Sequence, residues 1–192
     1  MSTLVRTMFA MAGAGVAASG AAAQVATLTA FATADNAFQM SISTDPTLQG
    51  DIFLTGNNWA ATFSGTYDFA APGTYYIQVS AQDFGDPASF IADLTVNNGS
   101  LFSNGSDRLV TNQVDWVVSI TGFGVATMAP LSFGADGVGP WGDRANIGND
   151  ALNIWHTPSA DQVYFTALVR VVPTPGALAL LGVASLVARR RR

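Results

Sequence analysis

The chain has 192 residues, with 8 Lys and Arg against 13 Asp and Glu, and it contains no cysteine. The missing cysteines exclude disulfide bonds and thiol catalysis. Arg6 and Arg189–Arg192 lie near the two ends, so the part between them carries 3 arginines, no lysine and 13 aspartates, a charge of −10. Nucleic acid is excluded as a partner, because neutralising phosphates requires clustered basic side chains.

The first 23 residues have the layout of a secretory signal peptide. Arg6 supplies the basic start, an uncharged run follows over 7–18, and small residues lead to Ala23. We predict a short signal helix and cleavage by signal peptidase after Ala21-Ala22-Ala23, which makes Gln24 the new N-terminus. The alternative is a membrane-spanning helix, but the run is too short and too rich in Gly and Ala to cross a hydrocarbon core of ~30 Å.

Residues 24–171 are predicted to form one all-β domain. Apolar and polar residues alternate with period 2 in several short runs, as expected of strands that are buried on one face. These runs are Phe38–Ile42, Tyr75–Val79, Phe90–Val96, Val114–Ile120 and Val163–Val169. Turn-forming residues separate the runs, among them Asp45-Pro46, Asn97-Asn98-Gly99 and a Gly-rich stretch over 134–142. This spacing predicts an antiparallel β-sandwich.

Four aspartates are candidate metal ligands. Asp83 and Asp86 flank Phe84-Gly85, Asp93 lies one predicted strand later, and Asp35 precedes an earlier strand. Oxygen ligands from loops at one end of a sandwich can hold Ca²⁺, which takes six to eight of them. Ordinary loop and strand-edge aspartates are the alternative.

Tryptophans provide a second candidate site. Trp116 alternates with apolar residues and is expected in the core, whereas Trp141 lies in the loop Gly139-Pro-Trp-Gly142 and is expected to be exposed. An exposed Trp can stack on the apolar C–H face of a sugar ring. Trp141 is therefore the candidate sugar contact.

The sequence gives catalysis little support. His156 is the one histidine, and no nucleophile motif accompanies it, so a serine triad is not indicated. We expect a non-enzymatic protein. The alternative is a polysaccharide-degrading enzyme, a glycoside hydrolase or lyase, that uses two aspartates as acid and nucleophile.

The tail over residues 172–192 has three parts in order. Val172, Pro173, Thr174, Pro175 and Gly176 come first, an apolar segment follows over 177–188, and Arg189, Arg190, Arg191 and Arg192 end the chain. As a helix, the segment from Gly176 to Ala188 is roughly 20 Å long, which is short for a membrane span. The arginines hold its end on the cytoplasmic side, so we expect a transient association with the membrane.

This tail resembles that of the PEP-CTERM family of exported proteins, although Thr174 stands where the family has Glu. The resemblance covers about the last 20 residues. It implies a Gram-negative envelope, processing by an exosortase near the proline motif, and delivery to the cell surface or beyond. A tail-anchored helix with a stop-transfer charge cluster is the alternative.

The body resembles a galactose-binding-like jelly roll. The resemblance rests on short aromatic and glycine patterns: Ala34–Phe38, Trp59, Pro72–Asp83, Ala88–Asp93, Gly139–Gly142, Ala151–His156 and Val163–Phe165. It implies a jelly-roll sandwich in a surface, matrix or carbohydrate-binding protein, with extracellular polysaccharide as a partner. A structural matrix protein without a small ligand is the rival expectation.

Overall fold

The computed structural model describes residues 25–173, which form two antiparallel β-sheets packed as a sandwich. The predicted antiparallel β-sandwich is therefore confirmed. The two predicted terminal helices, the cleavage site at Ala21, Ala23 and Gln24, and the tail from Thr174 to Arg192 lie outside the described residues. Between residues 25 and 173, no helix is long and apolar enough to cross a membrane.

Twelve strands make up the described part of the chain. In order they are β1 (Ala26–Asp35), β2 (Ala37–Ser43), β3 (Asp51–Gly56), β4 (Phe63–Phe69), β5 (Gly73–Gln82), β6 (Ser89–Val96), β7 (Leu101–Phe102), β8 (Arg108–Val110), β9 (Val117–Ser119), β10 (Leu131–Ala135), β11 (Leu152–Trp155) and β12 (Gln162–Val171).

The strands divide between two sheets. Sheet A has the order β10-β11-β6-β1-β4, with β8 also paired to β6, and sheet B has the order β3-β2-β5-β12-β7, with β9 also paired to β12. The first strand thus lies inside sheet A, between β6 and β4, and the last strand lies inside sheet B, between β5 and β7. Both strands therefore have a hydrogen-bonded neighbour on each side.

Aromatic side chains join the two sheets at the centre of the core. Phe90 of sheet A lies 5.1 Å from Phe165 and 6.1 Å from Phe38 of sheet B, measured between ring centroids. Trp116 and Trp155 complete the group through contacts with Phe90 and Phe165. All five side chains are buried, which confirms the expectation that Trp116 belongs to the core.

The sandwich has two distinct ends. At one, which we call the loop pole, Asp35 pairs with Ser89 and Ala37 pairs with Gln82, and the β1–β2, β3–β4, β5–β6 and β11–β12 connections meet there. At the other, the terminal pole, Ala26 pairs with Phe69 and Val171 pairs with Gly73. The described chain therefore begins and ends at the terminal pole.

One predicted strand is wrong in part. The alternation over Val114–Ile120 predicts a single buried face, yet Val114 is 87% and Ile120 is 52% exposed. Asn112 explains the exposure of Val114, because its Oδ1 accepts hydrogen bonds from the backbone N–H groups of Val114 and Asp115 at 2.8 and 2.7 Å. Ile120 is exposed because it follows the end of β9 at Ser119. An Asx turn replaces the start of the strand, and only β9 remains.

We expect Phe90→Ala to lower the free energy of unfolding by about 3–5 kcal/mol, because the change leaves a cavity between the sheets. Phe84→Ala is the matched control: Phe84 is 75% exposed, so this change should shift stability by no more than about 0.5 kcal/mol. Urea denaturation of both variants, with an unchanged m-value, checks this. Equal losses in the two variants would contradict the role given to Phe90.

Candidate functional site

The outer face of sheet B carries uncharged polar side chains at the loop pole. Phe38 and Met40 are buried in the core, so Gln39 between them lies on the opposite face. The register places Gln39 opposite Thr55 on one side and Ser80 on the other. It also places Gln82 beside Gln162 in the next row.

A groove of about 500 Å³ lies over these two rows. The described residues that line it are all uncharged: Ala37, Phe38, Gln39, Thr55, Gly56, Asn57, Phe63, Ser80 and Gln82. Ala37 contributes only a methyl group beside the longer side chain of Gln82 in its row, which leaves space above the sheet. We call this depression the polar groove.

Gly56 sets the shape of one wall. A Cβ atom at this position would lie 2.4 Å from Cε1 of Phe38 and 2.5 Å from Cδ2 of Phe63. The two rings meet edge to face with centroids 6.1 Å apart. A larger residue at position 56 would therefore displace the aromatic wall of the polar groove.

A chain of hydrogen bonds fixes the Gln82 amide of the polar groove. Gln82 Nε2 donates to Gln162 Oε1 at 2.8 Å, and Gln162 Nε2 donates to Ser80 Oγ at 2.8 Å and to the Ala81 carbonyl at 3.2 Å. The Ser80 hydroxyl accepts in this chain and keeps its own proton to donate, while Gln82 Oε1 keeps its lone pairs. The groove thus presents both a donor and acceptors to a ligand.

A second depression of about 470 Å³ adjoins the polar groove at Gln82 and includes Phe84. The backbone of this loop is held firmly: Asn36 Oδ1 accepts from Phe84 N–H, and Asp83 Oδ1 accepts from Gly85 N–H at 3.0 Å. The Phe84 side chain is nevertheless 75% exposed. An exposed ring beside polar groups is suited to stacking on an apolar ligand face.

Trp141 is not on the surface, so the expectation that it is exposed is wrong. It is only 7% exposed, and its Nε1 donates to Asp35 Oδ2 at 3.1 Å. Burial of the indole is tolerated because this polar N–H has a partner. Trp59 in the β3–β4 loop is the more exposed tryptophan, at 41%.

Arg144 joins the Gly-rich segment to the β3–β4 loop. Its guanidinium donates to the carbonyls of Trp141 and Ala60, and it lies 5.4 Å from the centroid of the Trp59 ring. Its backbone N–H donates to Asp136 Oδ2 at 3.1 Å. Trp141 and Arg144 therefore connect the Gly-rich segment to the end of β1 and to the β3–β4 loop at the loop pole.

The four candidate metal ligands do not come together. Asp35 and Asp83 are both buried at the loop pole, and Asp86 is exposed in the β5–β6 loop. Asp93 lies on the outer face of sheet A, where Arg108 holds it at 2.6 Å and also binds Asp150 at 2.8 Å. The described residues contain no group of three or more His, Asp or Glu side chains that could hold a metal ion.

Comparison with known proteins gives no match: no family model, no curated protein and no solved structure is similar to this chain.

Sequence analysis missed the residues of the polar groove. Alternation places Gln39 and Ser80 on outward faces, but it does not give the register that brings them together with Thr55 and Gln82. Phe84 carried a local signal: a large aromatic residue in the turn-rich stretch Asp83-Phe-Gly-Asp-Pro87 has no place in a strand core.

Asp35 gives a prediction on pH. Burial raises its pKa above the ordinary 3.8, and the charge of Asp83 adds to the rise, while the Trp141 hydrogen bond and Arg144 oppose it. A carboxyl with a raised folded-state pKa binds more protons when folded, so its contribution to stability falls as the pH rises above 3.8.

Asp35→Asn keeps an oxygen for Trp141 and removes this titration. We expect the variant to gain stability relative to the wild type as the pH rises from 3.8 towards neutrality, and the difference then to level off. Urea unfolding at a series of pH values measures it. Parallel pH curves for the two proteins would be inconsistent with a raised pKa at Asp35.

For calcium, we expect the same melting temperature in EDTA and in millimolar Ca²⁺, because no three candidate ligands form a group among the described residues. An ion that binds only the folded state raises the melting temperature. A rise that disappears in Asp83→Asn but persists in Asp107→Asn, at an exposed aspartate outside the group, would instead establish a calcium site at the loop pole.

Proposed function

We propose that this chain is an exported, non-enzymatic β-sandwich of the jelly-roll, galactose-binding-like type, which binds a neutral polysaccharide in the polar groove. In this proposal signal peptidase removes residues 1–23 and an exosortase-type enzyme processes the PEP-CTERM-like tail. The protein then resides at the surface of a Gram-negative cell or in its extracellular matrix, after a transient stay of the tail in the inner membrane.

The observation that carries the ligand proposal is the chemistry of the polar groove. Amides and hydroxyls of Gln39, Thr55, Ser80 and Gln82 converge on one depression, and a sugar offers hydroxyls that both donate and accept hydrogen bonds. Phe84 lies next to them and offers its ring to the apolar face of a sugar. Binding sites for small ligands combine apolar surface with a few fixed polar groups in this way.

Charge supports a neutral ligand over an acidic one. The residues between the two terminal segments carry a charge of −10, and an anionic polymer would be repelled from such a surface. Of the 3 arginines in that part of the chain, Arg108 is paired with two aspartates, and Arg144 is buried in the loop pole. Arg170 pairs with Thr74 near the terminal pole. None of the three is therefore placed to receive an acidic sugar in the polar groove.

Glycan-array binding by residues 24–171 tests this proposal. We expect binding to at least one neutral glycan, and about a 3- to 10-fold weaker Kd for Gln82→Ala, because a hydrogen bond contributes about 1 kcal/mol. Phe84→Ala should weaken binding by about 10-fold through the lost ring contact. Gln49→Ala is the matched control, since Gln49 is an exposed glutamine outside the groove.

The other outcomes separate the rival functions. Absence of binding to every neutral glycan would rule out the polar groove as a sugar site and favour a structural matrix protein. Release of shorter sugars from a polysaccharide panel would favour the glycoside hydrolase or lyase alternative. Wild-type affinity in both Gln82→Ala and Phe84→Ala would place the binding elsewhere on the molecule.

A further inference from the structure

One turn, Asn97–Ser100, contacts both ends of the described chain. It carries the chain from β6 in sheet A to β7 in sheet B. Strand β6 is a neighbour of the first strand, β1, and strand β7 is a neighbour of the last strand, β12. Asn97 Oδ1 accepts from Thr27 N–H at 2.7 Å, and Asn98 Nδ2 donates to the Val25 carbonyl at 2.9 Å. Ser100 Oγ accepts from Val172 N–H at 3.3 Å.

The conformation of the turn is specified by its sequence. Asn98 and Gly99 have φ angles of 57° and 74°, a region that Asn tolerates and Gly adopts freely. The site of a Gly99 Cβ atom would lie 3.8 Å from the Val172 side chain. Val25, the second residue after the expected signal cleavage, and Val172, the first residue of the sorting motif, are thus both held by this one turn.

The polar groove lies at the opposite end of the same strands. Strand β5 starts at Gly73, which pairs with Val171 at the terminal pole, and ends at Gln82 in the groove. At about 3.3 Å per residue, the ten residues of this strand separate the two features by roughly 30 Å. The loops that carry Phe84 and Trp59 also lie at this end, the loop pole.

We infer that the Asn97–Ser100 turn faces the cell surface in the exported protein and that the polar groove faces away from it. The inference rests on the proposed export and tail processing, and it adds that the processed C-terminal end is the point of attachment to the surface. A tail that leaves beside this turn places the terminal pole nearest to its attachment point, and the rigid sandwich sets the groove at the far end. The polysaccharide that reaches the groove is then one in the extracellular space rather than one at the attachment point.

The absence of cysteine from the chain makes this geometry directly measurable. Ser159→Cys places a single thiol in the exposed β11–β12 loop at the loop pole, outside the polar groove, and Ala70→Cys places one in the exposed β4–β5 turn at the terminal pole. Pro158→Cys and Ala71→Cys form a second pair with the same placement. All four positions are exposed, so the fold should tolerate the changes.

Intact producing cells that carry the full chain are treated with a bulky, membrane-impermeant maleimide. We expect the loop-pole thiols to react at least about 10-fold faster than the terminal-pole thiols on cells, and equally fast in purified protein released by detergent. Equal rates on cells, faster reaction at Ala70→Cys, or recovery of the chain only from the medium would overturn the inference.

This result is independent of the ligand. Differential labelling together with no glycan binding by the purified domain would keep the orientation and reject the sugar site. Glycan binding together with equal labelling on cells would keep the sugar site and reject the orientation.

Discussion

The contact between Phe90 and the rings of Phe38 and Phe165 is the interaction on which the rest of the structure depends. It joins sheet A to sheet B, and the two partner rings lie on β2 and β12. Because side chains alternate along a strand, fixing these rings inward turns Gln39, Tyr164 and Thr166 outward. A shift of one residue in β2 would bury Gln39 of the polar groove and expose Phe38 of the aromatic core. Core packing thus sets the position of each amide in the groove.

Loops cover much of the two outer faces and leave the polar groove open. On sheet B, Gln78 donates to the carbonyls of Asp45 and Pro46 and accepts from Gly50 N–H, so the β2–β3 loop closes over the half nearer the terminal pole. On sheet A, the ion pairs of Arg108 hold the segment around Asp150 against β6. The buried Gln78 has its amide satisfied by the protein, whereas the exposed Gln39 and Gln82 are available to a ligand.

Several strands could be predicted from the sequence because their inward residues are large. Phe38, Ile77, Phe90 and Phe165 make the period of β2, β5, β6 and β12 clear. Strand β1 gave no comparable signal, since four of its five inward residues are alanine, which has a low preference for strands. Small residues are suited to this central strand, because the bulky rings of its neighbours need the space between the sheets. Register and the Asn112 turn depend on contacts distant in sequence or on a single side chain, and alternation cannot supply them.

The buried position of Trp141 also depends on contacts that are distant in sequence. A tryptophan in a Gly-Pro-Trp-Gly loop is expected at the surface as long as the loop is considered alone. The Gly-rich segment instead folds back onto the end of β1, where Asp35 offers an acceptor for the indole N–H and Arg144 offers its positive charge. Two buried aspartates at this pole would repel each other without such compensation. The aromatic residue left for solvent is therefore Phe84, whose loop is held by backbone hydrogen bonds and does not need its ring for stability.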